Sequence, residues 1–286
     1  MCIRETITNK IINILEAGTA KGGKRWTNQA VGGLPRNAKT GEAYRGINVL
    51  LLWAQAAEKS FSSNLWLTYK QAEAMGAQVR KREKSTMGVY FQKVERQAED
   101  DAEDAKFYPM AKAFFLFNVA QIDGLPSELT TPAQAKEFSA IEEAEQIILQ
   151  TGAKIRHGFD GAFYVPSKDE VCMPHRERFT NEASYYATTL HELAHWTGHE
   201  DRLARTFGKR FGDDAYAMEE LTAELSAAFT MGHLGMVEGT IEGHASYLEG
   251  WLKCLKADKQ AIFTVASAAA KATDWVLGGA AAAPLH

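Results

Sequence analysis

The segment His191-Glu192-Leu193-Ala194-His195 constrains this chain more than any other five residues in it. Histidines four apart place both imidazoles on one side of an α-helix, about 40° apart around the axis and one turn from each other. Two rings so placed can share one tetrahedral zinc ion. Glu192 follows about 100° round from His191 and about 60° from His195. It stands beside such an ion without having to bind it, where a general base for a metal-activated water belongs. The flanks support a helix over about 181–198. Asn181 is a natural N-cap, Glu182 favours the positive end of the dipole, and Gly198 is a natural stop. Tyr186, Leu190, Leu193 and Thr197 recur at helical spacing and form its core face. The competing reading is a surface helix with two solvated histidines.

A second acidic helix argues against that bland reading. In Met218-Glu219-Glu220-Leu221-Thr222-Ala223-Glu224-Leu225, the residues Met218, Leu221, Leu225 and Ala228 make a core stripe, with Glu220, Glu224 and Ala227 along a neighbouring face. A carboxylate from a second helix is the usual third ligand where one helix supplies two histidines. Another carboxylate one turn on can hold a ligating imidazole from behind. Spacing alone does not choose between Glu220 and Glu224, and Glu219 reads as a solvated glutamate. The oxyanion of an attacked carbonyl also needs a donor besides the metal. His244 and Tyr247, on the next helical stretch, are candidates, against the commoner structural use of a lone His or Tyr.

At 286 residues the chain suits two domains better than one. Cys2, Cys172 and Cys254 are odd in number, far apart and outside any CxxC arrangement. They imply neither a disulfide framework nor a sulfur-ligated metal, and so a reducing, cytoplasmic setting. The first 18 residues mix charges with apolar residues and read as an amphipathic helix rather than a signal peptide. The Ala-rich tail is too interrupted to span a bilayer, so no membrane partner is expected.

The net charge of -4 hides a division: residues 1–96 hold 16 Lys and Arg against 7 Asp and Glu, a balance of +9. Residues 97–286 hold 16 against 29, a balance of -13. Within the basic part, cations alternate with aromatics at Lys24-Arg25-Trp26, Arg36, Tyr44-Arg45, Trp66, Tyr69-Lys70 and Arg80-Lys81-Arg82. Single-stranded nucleic acid is held in that way, by cations on phosphates and rings stacked on bases. The pattern does not say which aromatics are exposed, and Trp26 and Trp66 also suit a core.

The coarse order of elements predicts an α+β chain. A buried helix or strand-helix at 46–58 and a short helix from about Gln71 to Gly76 precede an expected hairpin between Gln78-Val79-Arg80 and Val89-Tyr90-Phe91, turned by the charged residues between them. The acidic run 99–104 reads as an exposed loop, and 113–119 as a buried strand. A linker at 124–132 separates expected domains of 1–125 and 126–286. The second begins with a helix at about 133–150 and three short strands at 153–157, 161–166 and 170–174. Helices at about 181–198, 214–234, 240–256 and 258–276 complete it.

Many ordered segments together resemble one family. They are 35–48 (PRNAKTGEAYRGIN), 66–72 (WLTYKQA), Val79-Arg80-Lys81, Ile155-Arg156-His157-Gly158, 187–199 (ATTLHELAHWTGH) and 219–225 (EELTAEL). The chain is similar over nearly its whole length to the ArdC-type antirestriction proteins of conjugative plasmids. One departure is Arg82-Glu83, where the family leads one to expect a glycine.

That resemblance implies an N-terminal domain binding single-stranded DNA, rather than RNA, and a C-terminal zincin-like metallopeptidase domain. On the basic half it directs attention to Arg36, Tyr44, Arg45, Lys70, Arg80 and Lys81. The ExxxE pair is similar to the motif of Glu-type zincins, which implies Glu220 on the metal with His191 and His195, and Glu224 on a histidine. The ion would be Zn2+, or another divalent ion such as Mn2+, and the substrate an unknown protein. The implied role is protection of incoming plasmid DNA from host restriction. The alternative is a non-enzymatic protein that coats single-stranded DNA and carries a structural or vestigial metal site. Retention of Glu192 favours the enzyme, since a structural site has no need of a base.

Overall fold

The computed structural model describes residues 3–19, 33–96, 106–130, 137–207, 214–236 and 245–278. The first half runs α1 (Ile3–Thr19), β1 (Arg36–Asn37), α2 (Ile47–Lys59), β2 (Leu65–Leu67), α3 (Tyr69–Ala74) and β3 (Gln78–Val79). It continues with β4 (Thr86–Arg96), β5 (Lys106–Asn118), β6 (Ile122–Asp123) and α4 (Ser127–Thr130). The second half runs α5 (Glu137–Gln150), β7 (Lys154–His157), β8 (Phe163–Val165), β9 (Glu170–Met173), α6 (Glu182–Trp196), α7 (Asp214–Leu234), α8 (Ala245–Ala257) and α9 (Ala261–Val276). Both halves mix helices and strands, as the α+β reading requires. Among the described residues no helix is long and apolar enough to cross a membrane.

The N-terminal sheet has the order β1-β2-β5-β4, and β7-β9-β8 form a second sheet. The expected hairpin is not formed. β3 pairs with β6 (Gln78↔Asp123), while β4 pairs with β5 from Thr86↔Leu116 to Arg96↔Lys106. A long ladder satisfies far more backbone groups than the two-residue β3 could offer, so β4 takes the longer partner. The charged residues between β3 and β4 fold back on Gln121, whose amide donates to Glu83 Oε2 (2.9 Å) and to the Lys84 carbonyl (3.0 Å). Arg82 there has φ 70°, a left-handed conformation that favours glycine, which accounts for the glycine expected at this point. The acidic run 99–104 lies outside the described residues. In the strand expected at 113–119, Leu116, Asn118 and Val119 are buried while Phe115 is 56% exposed, so one face of the sheet is covered more than the other.

β4 is the edge of its sheet, and Asn48 covers part of that edge. Its side chain accepts from the Val89 N–H and donates to the Val89 carbonyl, both at 2.8 Å. Such pairing satisfies backbone groups that an edge strand otherwise leaves open.

One apolar core joins the two halves. Ile7, Ile11 and Leu15 of α1 and Val49, Leu50, Leu51 and Trp53 of α2 pack with Leu221, Leu225 and Phe229 of α7, and with residues of α8 and α9. The opposite side of α7, through Ala227 and Met231, enters a second core with α5, β9 and α6. α7 is therefore buried on nearly all sides. Trp53 shows how tightly the halves meet. Its indole N–H donates to the Gly33 carbonyl (3.2 Å), its ring lies 6.0 Å from that of Phe229, and a Cβ on Gly232 would come within 3.0 Å of it. Packing crosses the linker expected at 124–132, of which residues 131–132 lie outside the described residues.

Removing the Trp53 ring should therefore destabilise the whole chain. Trp53→Ala is expected to cost about 3–5 kcal/mol, read as one shifted transition in urea unfolding followed by far-UV circular dichroism. A separate transition for the C-terminal half, unmoved by the substitution, would show that the halves share no core.

Candidate metal centre

The helix that carries the two histidines is terminated as its sequence suggests. Asn181 Oδ1 accepts from the Ser184 N–H at 2.8 Å, capping the N-terminus of α6. Tyr186, Leu190, Leu193 and Thr197 are buried on its core face. At the C-terminus the chain turns sharply at Gly198, where a Cβ would meet Phe207 Cζ at 2.7 Å and the His195 carbonyl at 3.0 Å. Only glycine lets the following loop, residues 199–207, lie so close against α6.

α6 and α7 bring three donor groups together. His191 Nε2 and His195 Nε2 stand 3.2 Å apart. The two carboxylate oxygens of Glu220 lie 3.5 Å from His191 Nε2 and 3.5 Å from His195 Nε2. Metal–ligand bonds of about 2.0–2.1 Å in a tetrahedral shell separate the ligand atoms by about 3.3–3.4 Å, so the spacing fits one ion. His191, His195 and Glu220 form the group of described residues suited to hold a metal.

Behind these donors stand two further carboxylates. Glu219 Oε1 is 3.2 Å from His195 Nδ1, and Glu224 Oε2 is 3.7 Å from His191 Nδ1. Each ring thus has a carboxylate at the nitrogen facing away from the other ring, an arrangement that orients imidazoles at metal sites. Tyr216, one turn before Glu220, donates its hydroxyl to the Glu220 carboxylate. Glu192 is buried, and among the described residues no side chain is paired with it.

The pocket is strongly anionic. Burial alone would push the His191 imidazole down, but the Glu220 and Glu224 carboxylates, 3.5 and 3.7 Å from its nitrogens, and the charge of Glu192 outweigh burial and push it up to about 10. Burial likewise opposes ionisation of Glu219, and the Arg205 guanidinium beside it holds it below the usual carboxylate range. Glu220 is also held low, against burial, by the two histidines. Buried carboxylates at this density call for a cation.

Glu219 corrects the expectation of a solvated glutamate: it is 6% exposed and gripped by Arg205 through both carboxylate oxygens, at 2.9 and 2.7 Å. Neither Arg205 nor Tyr216 stands out in the sequence. Tyr216 lies one turn before Glu220, a spacing that could have flagged it; nothing in the order of residues points to Arg205. His244 lies outside the described residues, and of Tyr247 only its place on α8 is described.

The candidate basic residues of the first half are spread over β1, the segment leading into α2, α3 and the β3–β4 turn. Arg36 donates to the Gly41 carbonyl (3.1 Å), and Arg45 is ion-paired with Asp274 of α9. Arg80 is ion-paired with Glu83 (3.0 Å) and Asp123 (3.4 Å). Lys70 and Lys81 are exposed, with no ion-pair partner among the described residues. Tyr44 is half-buried, near-parallel to Phe114 with centroids 6.4 Å apart. Trp66 is fully buried in the core, whereas Tyr69 and Tyr90 are nearly half exposed.

Fold and site together define a two-domain protein with a zincin-like metallopeptidase domain. A family model described as zincin-like metallopeptidase matches residues 142–268, and one described as the N-terminal domain of anti-restriction factor ArdC matches 1–117. The metal-free crystal structure of antirestriction ArdC protein from the R388 plasmid superposes with a TM-score of 0.81 at 38% identity, covering 100% of both chains. Its Mn(II)-bound structure gives 0.78 at 38% identity, covering 98% of this chain and 99% of that one. A Sinorhizobium fredii protein, y4eC, is 38% identical over 96% of this chain and 91% of its own length. DNA primase TraC of Escherichia coli is 41% identical over 96% of this chain, which spans only 27% of the primase. The chain belongs to the ArdC family of antirestriction proteins. Its cofactor is a divalent metal: the zincin-like domain implies zinc, and the Mn(II)-bound relative and the His–His–Glu donor set agree with a divalent ion.

Purified protein reconstituted with zinc should hold about one ion per chain by atomic absorption, and His191→Ala or Glu220→Ala should hold almost none. Undiminished binding by His191→Ala would place the ion elsewhere.

Proposed function

We propose that this chain is a zinc-dependent peptidase of the antirestriction class, coupled to a surface for single-stranded DNA, that protects plasmid DNA newly arrived by conjugation in the cytoplasm. The observation that carries the catalytic part is Glu192: a buried carboxylate next to His191 in the chain, whose charge acts on that imidazole, with no hydrogen bond or ion pair among the described residues. A carboxylate with only a structural role would be paired, as Glu219 is. His191, His195 and Glu220 would hold the ion, Glu224 and Glu219 would orient the rings, and the ion would polarise a peptide carbonyl and acidify a water. Glu192 takes up the proton released as that water attacks and returns it to the departing amine.

The surface for DNA draws on the charge balance of +9 in residues 1–96. The exposed ring of Tyr69 lies next to the exposed Lys70, and Tyr90 lies opposite Lys112 across the β4–β5 ladder. Rings in that setting stack on bases while the amines meet phosphates. Lys70 and Lys81 are better placed for this than Arg45 and Arg80, whose charges already meet Asp274, Glu83 and Asp123.

Two measurements on the full chain test the reading. Glu192→Gln should keep the metal and lose at least 100-fold in peptide-bond cleavage, assayed with and without single-stranded DNA, in line with loss of a general base; full activity in that variant would remove Glu192 from the mechanism. Lys70→Glu with Lys81→Glu should weaken binding of a labelled oligonucleotide in fluorescence anisotropy. It should also flatten the dependence of log affinity on log salt by about 0.7 for each phosphate that is no longer neutralised. An unchanged affinity and slope would place the DNA elsewhere.

A further inference from the structure

We infer that Arg205 is a positioning residue of the metal centre, acting through Glu219 to hold the His195 ring with Nε2 toward the ion. This rests on the metal-centre reading above and extends it to a residue outside both metal-bearing helices. The Arg205 guanidinium makes four hydrogen bonds that converge on the end of α6 and the start of α7. Its Nε and Nη2 donate to the two Glu219 oxygens, at 2.9 and 2.7 Å. Nη2 also donates to the Ala194 carbonyl (2.6 Å) and Nη1 to Thr197 Oγ1 (2.8 Å). Glu219 Oε1 in turn lies 3.2 Å from His195 Nδ1.

The chain from guanidinium to carboxylate to imidazole has a chemical consequence. A Glu219 carboxylate fixed by Arg205 beside His195 Nδ1 accepts a hydrogen bond from Nδ1–H, which leaves the Nε2 lone pair facing His191 and Glu220. Arg205 also satisfies a carbonyl at the C-terminal end of α6, so one side chain fixes the helix carrying both histidines against the helix carrying Glu220. Lysine could not do the same, because an ammonium offers no planar fork to two carboxylate oxygens.

The loop that delivers Arg205 is built for the purpose. Its backbone closes on itself through Leu203 N–H to the Thr197 carbonyl (3.0 Å), Ala204 N–H to the His199 carbonyl (3.0 Å) and Arg205 N–H to the Gly198 carbonyl (2.9 Å). Ala204 has φ 46°, a left-handed conformation unusual for alanine, at the residue that turns Arg205 back toward α6. Arg202 anchors the other side of the loop: it donates to the Trp196 carbonyl (2.7 Å), lies 3.8 Å over the Trp196 ring and pairs with Asp169. Glu224 stands behind His191 at 3.7 Å, farther than Glu219 stands from His195. The two imidazoles are thus held unequally, and His195 has the closer hold.

The test measures zinc affinity of the full chain by competition with a chromogenic chelator, for wild type, Arg205→Ala, Arg205→Lys and Glu219→Gln. It also follows the His195 Nδ1–H signal of the zinc-loaded protein by 15N-edited NMR. Arg205→Ala is expected to weaken zinc binding about 10–100-fold and to shift or broaden the Nδ1–H signal, with Arg205→Lys recovering only part of either. If Arg205→Ala does not fold, as judged by circular dichroism, Glu219→Gln carries the test, since it keeps the shape and an acceptor oxygen but loses the charge. It should weaken zinc binding and move the same signal. Wild-type affinity and an unmoved signal in the folded variants would overturn the role of Arg205. A wild type that binds no zinc at all would instead overturn the metal reading on which it rests.

Discussion

Two imidazole nitrogens 3.2 Å apart inside the protein, ringed by the buried carboxylates of Glu219, Glu220 and Glu224, call for a cation between them. Much of the structure around residues 182–234 serves that need. The carboxylates of Glu219, Glu220 and Glu224 surround the rings; Arg205 balances Glu219, and a divalent ion would balance the others. Packing then has to hold α6 against α7 closely enough for an α7 side chain to complete the site. Leu190 and Leu193 on α6, and Ala227 and Met231 on α7, supply that contact from the second core.

The same requirement explains why α7 is buried on two opposite sides. One side serves the metal, and Leu221, Leu225 and Phe229 on another lie against α1 and α2. The helix that presents Glu220 is therefore also a wall of the core that supports the N-terminal half. The separation of charge in the sequence, basic before residue 97 and acidic after it, is a separation of surfaces laid over shared packing. Arg45, from the basic half, closes one seam by pairing with Asp274.

Local chemistry makes much of this legible in the sequence. The i, i+4 histidines, the Asn181 cap and the leucine spacing together define α6, because each acts within a turn or two of helix. The acidic helix is legible for the same reason, but spacing leaves the roles of Glu220 and Glu224 open, and only the family resemblance orders them. What escapes is non-local. The expected hairpin fails because strand pairing depends on which strands are long enough to compete, and β5 lies beyond a segment that reads as a loop. The expectation for Glu219 fails because its worth depends on Arg205, which a left-handed turn at Ala204 brings back from a loop. Tyr44, Trp66 and Tyr90 carry the same mix of apolar body and aromatic face, and only packing decides that Trp66 is core while Tyr90 faces solvent. Exposure of a given ring is a property of the assembled sheet and not of its sequence neighbours.

The most direct test of the account is X-ray absorption at the zinc edge of the reconstituted protein. The donor set predicts a shell of light atoms at about 2.0–2.1 Å, with the multiple-scattering pattern of two imidazoles and room for one carboxylate. That pattern should fall to one imidazole in a His195→Ala protein that still retains some zinc. A thiolate at about 2.3 Å, or a shell without imidazole scattering, would contradict the account at its centre.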